Sequence, residues 1–423
     1  MTTSLTGAPT RLVARTTPLV GEDTVDLLAV AGDEGIVWEH EGAGLAGRGV
    51  AAVVDVGTGP ARLAEAADEA ARVLGEIEVH DEVGRPGCGP VAMGALPFAD
   101  DQPGQLVVPV VVVGRAADGT AWVTTVAAIG EPEPMMVPTG ANHRAVDRDE
   151  PATYRVTTTG SSDEWRAAVG AVRAEIEAGR LAKAVLAREV VVEGDRPFSP
   201  TEVLARLRTA YPACFLFSVA GLVGASPELL VARQGDEVRS LPLAGSAPRG
   251  DGPEADARLA LDLLASPKEQ EEHRLVVEAV VEALAPVCDA LVADTGPTVV
   301  AMANVQHLAT AVHGHLRPPG PSALALAGRL HPTPAVGGTP RGAALAAIAR
   351  WEGLDRGRYA GPVGWVDARG DGQWAVAIRT AELDGHRARL VAGAGIVAGS
   401  HPEAELAETE LKLQALLSAV ARP

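Results

Sequence analysis

Residues 161–192 read SSDEWRAAVGAVRAEIEAGRLAKAVLAREVVV, and two elements follow from them. Ser161 with Glu164 three residues on has the capping-box form, in which a hydroxyl and a carboxylate each take a backbone N–H that a helix start leaves free. Beyond it Trp165, Val169, Val172 and Ile176 keep helical spacing, and Gly179 is suited to end the helix. From Ala182 to Val192 the pattern becomes an apolar, β-branched run, which predicts a strand. A capped helix delivered straight into a long strand sets the class as mixed α and β.

The same pairing of signals extends in both directions. Downstream, strands are expected at Cys214 to Val219, Glu228 to Arg233 and Glu237 to Leu243, with a hairpin turn at Gly235-Asp236. A long helix follows from Lys268 to Leu284, then a helix from Ala343 to Trp351. Strands at Gly361 to Asp367, Trp374 to Leu383 and Ala388 to Ala392 precede a last helix from Pro402 to Leu417. Upstream, from Thr17 to Pro138, short β-type runs (Gly35 to Trp38, Val50 to Val54, Leu106 to Val113, Ala121 to Ala127) alternate with turns and one Ala-rich helix, Ala61 to Leu74. Thr139 to Thr159 is polar, lacks an apolar period and reads as a linker. No repeat of 20–50 residues is present, which argues against a solenoid or propeller.

Composition narrows the function classes. The chain has 423 residues, 36 Lys+Arg against 55 Asp+Glu, and a net charge of −19. A protein that neutralises nucleic-acid phosphates or adsorbs to anionic lipid needs a basic cluster, and none is present, so neither nucleic acid nor membrane is expected as a partner. An apolar share of 47% is ample for a large core. Cys88, Cys214 and Cys288 are widely spaced with no CxxC, as in a reduced, cytoplasmic protein. The first residues show no basic start followed by an apolar run, so no signal peptide is expected.

Several residues break the local pattern in ways that suggest chemistry. Glu405, Glu408 and Lys412 fall on one face of the last helix, which Ser400 and Glu403 are expected to cap. A solvated face with a Glu408/Lys412 pair is the plain alternative. Glu272, at the edge of the apolar stripe of its own helix, adds a third carboxylate, and an oxygen-only set suits a hard cation such as Mg²⁺. Lys183 stands in an apolar strand, where desolvation favours the neutral amine that acts as a base. Glu228, in GASPELLV, stands where desolvation favours the protonated acid. For each, a strand-end or turn position is the alternative. The turns Pro242 to Ala247 and Val391 to Gly395 let backbone N–H groups approach an anion, and Arg379 is a candidate carboxylate clamp. GxGxxG, P-loop, G-x-S-x-G and H-E-x-x-H signatures are all missing.

Taken in order, LAKAVLAREV, GASPELLVAR, SLPLAGSAPRG, LLASPKEQEEH, HPTPAVGG, YAGPVGW, AIRTAEL, AGAGIV and EAELAETELK resemble the chorismate-utilising enzymes. That group contains isochorismate synthase, salicylate synthase, anthranilate synthase and aminodeoxychorismate synthase. The resemblance runs from Ser161 to Leu417 and, more loosely, includes Val91 to Phe98. It implies an α+β fold, one large domain over residues 1–423 with two packed antiparallel sheets flanked by helices. Within it lie a strand-rich N-terminal subregion over 17–138 and a motif-bearing core over 161–420.

By the same resemblance Lys183 is similar to a water-activating base and Glu228 to a general acid. Glu272, Glu405 and Glu408 resemble Mg²⁺ ligands. Tyr359, Arg379, Lys412 and the backbone of Gly393 resemble the holders of the enolpyruvyl carboxylate. Gly245 and Ser246 would face the ring carboxylate, and His307, Ala335 and Val336 would line the ring pocket. Ammonia-using members replace the base lysine, so Lys183 favours water, and the HPTPA form at His331 to Ala335 is similar to isochorismate synthase. The expectation is therefore a Mg²⁺-dependent isochorismate synthase acting on chorismate, monomeric and without an amidotransferase partner. Salicylate synthase, which goes on to release pyruvate, is the alternative; a catalytically silent chorismate-binding protein is the alternative of another class.

Overall fold

In the computed structural model, residues 11–19, 25–131 and 151–421 are described. The opening stretch folds as its pattern requires. Ser161 Oγ accepts from Glu164 N at 3.1 Å, and the Glu164 carboxylate accepts from Ser161 N at 2.8 Å, closing the capping box. The helix runs Ser162–Glu177, Gly179 follows with φ 70°, and the strand is Lys183–Gly194.

The helices among the described residues are α1 Leu27–Ala31, α2 Arg62–Gly75, α3 Ser162–Glu177, α4 Pro200–Ala210, α5 Pro253–Ala265, α6 Pro267–Leu284, α7 Ala323–Leu330, α8 Arg341–Trp351 and α9 Pro402–Val420. One sheet of thirteen strands is built around Lys183–Gly194, which pairs antiparallel with Arg387–Ile396 along ten residues. From there it continues through Thr380–Asp384, Leu222–Ser226, Phe215–Val219 and Ile36–His40 to the N-terminal strands. A nine-stranded sheet is centred on Leu229–Gln234, Gly372–Val376, Pro362–Asp367 and Val91–Ala95.

The two sheets face each other across a buried layer in which Trp38, Leu45 and Phe217 of one meet Met93, Val363 and Trp365 of the other. Helices α4 and α9 cover the outer face of the larger sheet, where Leu204, Leu207, Leu413 and Leu416 pack with Val190 and Leu216. Helices α2, α6 and α7 pack with the smaller sheet. The expected architecture of two packed sheets flanked by helices is thus present. Burial of apolar surface at roughly 25 cal/mol per Å² supplies its main driving force.

Several expectations need correction. A third, three-stranded sheet, Leu243–Pro248 with Val305–Ala309 and Thr298–Ala301, stands apart from the other two. Glu237 to Leu243 therefore ends as a strand at Leu241, and its continuation joins the small sheet. Pairing is not wholly antiparallel, because Leu12–Pro18 runs parallel to Glu78–Asp81. The run Leu106 to Val113 divides: Gly104–Val108 lies in the nine-stranded sheet and Val111–Arg115 in the larger one. Pro109, lacking an N–H, interrupts the ladder between them.

Trp374 to Leu383 divides in the same way, into Gly372–Val376 and Thr380–Asp384 on different sheets. The crossing passes through Arg379, whose φ is 53°. Part of the linker expected at 139–159 is strand Tyr154–Thr158, edge partner of Lys183–Gly194; residues 139–150 lie outside the described ones. The N-terminal strands are shared between both large sheets rather than set apart, with Ile36–His40 beside Phe215–Val219 and Val91–Ala95 beside Pro362–Asp367.

Candidate active site

A sheet crossing, two helices and a strand start place the chemistry-bearing residues around one cavity. The break at Arg379 turns its side chain toward the third sheet, where one Nη donates to His307 Nε2 at 3.2 Å and the other to the Lys412 carbonyl at 3.4 Å. A left-handed residue with a Cβ costs on the order of 1 kcal/mol, a strain that concentrates at functional sites. Because an arginine only donates, His307 must accept at Nε2 and carry its proton on Nδ1, which donates to the Gly245 carbonyl at 3.1 Å. Burial, with Arg379 and Lys412 nearby, pushes the imidazole down to about 3, so it is neutral. His307 therefore fixes the arginine and adds no charge of its own.

Helices α6 and α9 supply the carboxylates. Glu272 is buried, and Lys183, with no exposed surface, places Nζ 2.9 Å from its Oε1. The angles of that contact are outside those of a hydrogen bond, so the amine is held by charge without being aimed at the carboxylate. Glu405 is buried too; its Oε1 receives Lys268 Nζ at 3.0 Å, and its Oε2 has no hydrogen-bond partner among the described residues. Glu408 takes Lys412 Nζ at 2.5 Å, and the same ammonium donates to the Gly393 carbonyl at 2.9 Å. Desolvation and the charge of Glu408 raise Glu405, whereas in Glu408 the penalty of burial is outweighed by Lys412 and the pKa falls.

Glu228 precedes strand Leu229–Gln234 and is almost wholly buried. Desolvation pushes its carboxyl up to about 8, although the charges of Lys183 and Lys412 pull the other way. It is therefore mostly protonated at pH 7. Tyr359, buried and pushed up to about 12 by desolvation, keeps its proton.

The cavity is bounded by Glu228, Glu272, Glu408, Arg379 and Lys412, with Gly245 and Ser246 on the third-sheet side. His307, Ala335, Val336, Tyr359 and Gly393 also line it. Lys183 and Glu405 do not reach its wall; Lys183 lies one contact behind, on Glu272, and Glu405 contacts Lys268, which is itself off the wall. Its volume is only about 70 Å³; its wall carries the Glu408–Lys412 pair and, through Glu272, the pair with Lys183. An incoming dianion would exchange these internal pairs for its own contacts.

The expected Ser400 and Glu403 capping box does not form. His401 is the cap residue, Ser400 bonds the Val397 N–H and the Gly395 carbonyl, and Glu403 pairs with Arg166 of α3. Ser400 instead holds the turn that leads from Gly395 into the acidic helix. Sequence reasoning also passed over Lys268 and Glu269. Glu269 Oε2 accepts from the Ser246 N–H at 3.0 Å, and Lys268 bridges Glu269 and Glu405. The visible signal was position: both stand within one turn before Glu272, just after the N-cap Ser266.

Among the described residues no three acidic, histidine or cysteine side chains already form a metal cage. The donor set nevertheless fits a hard cation. It is oxygen-only, it leaves a buried Glu405 oxygen without a hydrogen-bond partner among the described residues, and each carboxylate is held by an ammonium that a cation would displace.

Gly395 is a steric requirement of this arrangement. A Cβ there would fall 2.2 Å from Glu272 Oε1 and 3.0 Å from Lys183 Cε. Gly395→Ala is expected to lower kcat/KM by about 10²-fold while the protein stays folded, read by steady-state kinetics with a thermal melt as control. Unchanged kinetics would show that the Lys183–Glu272 contact tolerates displacement.

The profile of the family described as chorismate binding enzyme matches residues 9–421. A Mycobacterium tuberculosis H37Rv protein, provisionally named isochorismate synthase MenF, is 42% identical over 349 residues, which are 79% of this chain and 88% of the relative. Isochorismate synthase DhbC of Bacillus subtilis is 35% identical over 342 residues, covering 78% and 81% respectively. The solved structure of the menaquinone-specific isochorismate synthase MenF from Escherichia coli superposes with a TM-score of 0.81 at 25% identity, over 97% of this chain and 94% of that one.

Proposed function

Because the chain belongs to the chorismate-binding enzyme family, we propose that it converts chorismate into isochorismate, an isomerase reaction that needs no redox cofactor. Relatives named isochorismate synthase support this choice over salicylate synthase. The observation that carries the chemistry is Glu228, a buried acid still protonated at pH 7 on the wall of a cavity that also presents Arg379 and Lys412.

In this reading Lys183, released from its charge pair with Glu272 and having given that proton to solvent as chorismate binds, is the neutral amine that takes a proton from a water as its oxygen bonds to C2 of chorismate. The ring double bonds shift, the C4–O bond breaks, and Glu228 gives its proton to the departing hydroxyl, which leaves as water. Return of the proton from Lys183 to Glu228 resets the site. Lys183 acts on Glu228 electrostatically across the site, consistent with a linked pair. Arg379 and Lys412 receive the enolpyruvyl carboxylate, with Tyr359 and the Gly393 backbone beside them. Gly245 and Ser246 face the ring carboxylate, and His307, Ala335 and Val336 border the ring. Glu272, Glu405 and Glu408 would hold Mg²⁺, with Glu269 beside them; when bound, it would supply positive charge opposite the ring carboxylate.

Every group named comes from one chain, and the reading calls for no amidotransferase partner. Cys88, Cys214 and Cys288 are all free and buried, in keeping with a cytoplasmic setting. Among the described residues no helix is long and apolar enough to cross a membrane.

Incubating the purified protein with chorismate and Mg²⁺, separating the products and measuring pyruvate in parallel tests the function. Isochorismate without pyruvate is the expected result; pyruvate in step with salicylate would overturn it. The pH dependence follows from Glu228. Its acid form is lost as pH rises through about 8, so kcat is expected to fall about tenfold per pH unit beyond that point. A rate that stays flat to pH 10 would remove Glu228 as the acid.

A further inference from the structure

A second cavity, of about 890 Å³, opens between α2, α7 and α8 and takes no part in the chemistry above. Its size is that of a small-molecule pocket. Much of its wall is apolar, including Leu63, Leu345, Ile348 and Leu354.

Of the four guanidiniums in that wall, Arg356 pairs with Glu352. Arg62, Arg329 and Arg341 form no ion pair with a carboxylate of the described residues, and Arg62 and Arg341 hold backbone carbonyls. Arg62, only 2% exposed, donates Nη2 to the Pro97 carbonyl at 2.6 Å, and its buried Nη1 has no hydrogen-bond partner among the described residues. Arg341, more exposed, donates to the His331 carbonyl. Asp100 acts on both through charge, yet no carboxylate of the described residues forms an ion pair with either. A buried guanidinium nitrogen without a partner is costly, and a carboxylate is the geometric match for its fork.

This cavity shares structural members with the catalytic one. His331 and Pro332 line the former, and Ala335 and Val336 of the same segment line the latter. Arg356, in the second cavity's wall, donates to the carbonyls of Val336 at 2.7 Å and Val185 at 2.9 Å, and both residues border the catalytic cavity. Its partner Glu352 accepts the Ala187 N–H at 2.8 Å. His331 and Arg356 thus join the two cavity walls through contiguous bonds.

We propose that the cavity between α2, α7 and α8 is an effector site for a small carboxylate with an apolar or aromatic body, read by Arg62 and Arg341 and coupled to the catalytic wall at Val185, Ala335 and Val336. The binding half stands apart from the assigned reaction; the coupling half rests on it.

Benzoate and inorganic phosphate serve as probes of the full chain, first by calorimetry without chorismate and then in initial-rate assays with it. Benzoate is expected to bind saturably, about tenfold or more weaker in Arg62→Met and in Arg341→Met, while phosphate, lacking the apolar body, binds far less well. In the wild type, saturating benzoate should change kcat or KM for chorismate by about fivefold. Both variants should lose that response, and Arg62→Met, whose hydrogen bond goes to Pro97 and not to the His331 segment, should keep its rate without benzoate within about twofold of the wild type. Thermal melts identify a variant that fails to fold, in which case the other carries the test. Absence of saturable benzoate heat, equal binding of phosphate, or binding retained in both variants would overturn the site. A response that is purely competitive with chorismate and survives both substitutions would place benzoate in the catalytic cavity and overturn the coupling. A protein inactive on chorismate would still report on benzoate by calorimetry, so the two failures are distinguishable.

Discussion

Glu228→Gln is expected to lower kcat by about 10³-fold with a smaller change in KM, since an amide keeps the shape of the acid and cannot supply its proton. The same substitution should change stability with a definite sign. The folded carboxyl holds its proton up to about 8, against an ordinary value of 4.5. The folded state therefore binds more protons than the unfolded one between those values, and the wild type loses stability as pH rises through that window. Glutamine carries no such penalty. The variant should match the wild type near pH 4 and exceed it above pH 8 by on the order of a few kcal/mol, read by denaturant titrations at the two pH values. A variant that is inactive and also unstable at pH 9 would mean that Glu228 holds the fold rather than the proton.

Lys183→Met should be as damaging to catalysis, about 10³-fold or more in kcat, because among the described residues it removes the one amine in an ion pair with Glu272. Here stability moves the other way. Lys183 has no exposed surface and Glu272 very little, so deleting the ammonium leaves a buried carboxylate facing methionine. Breaking a buried pair from one side costs about 3–5 kcal/mol. Adding Glu272→Gln should restore most of that stability and none of the activity, which separates the structural part of the pair from the chemical one. If Lys183→Met kept more than about a tenth of wild-type kcat, the lysine could not be the base.

The sequence made much of this visible wherever one residue type has one physical use. Ser161 and Glu164 mark a helix start by hydrogen bonding alone, and the structure contains that box. Lys183 and Glu228 were conspicuous as charges in apolar strands, and both are buried. What stayed hidden depends on residues distant in the chain. Trp374 to Leu383 has the pattern of one strand; that it passes from one sheet to the other at Arg379 follows from which strands lie alongside, Leu229–Gln234 for one half and Leu222–Ser226 for the other. The third sheet is likewise a product of pairing between Leu243–Pro248 and Val305–Ala309, some sixty residues apart.

Ser400 and Glu403 have capping-box spacing, but tertiary contacts claim both: Ser400 ties down the turn after Gly395, and Glu403 meets Arg166 on α3. Lys268 and Glu269 were overlooked because a lysine and a glutamate at a helix start are usually solvated. Here α9 closes over them and makes them part of the acidic cluster.

The most direct test of the central claim follows the oxygen atom. The purified protein is incubated with chorismate and Mg²⁺ in H₂¹⁸O, the reaction is stopped within the first turnovers, and the isochorismate is examined by mass spectrometry. If Lys183 activates a water that attacks C2 while Glu228 expels the C4 hydroxyl, the product carries one ¹⁸O, at the C2 hydroxyl. Isochorismate formed without label would mean that the C4 hydroxyl itself migrates, and would contradict the roles given to both residues.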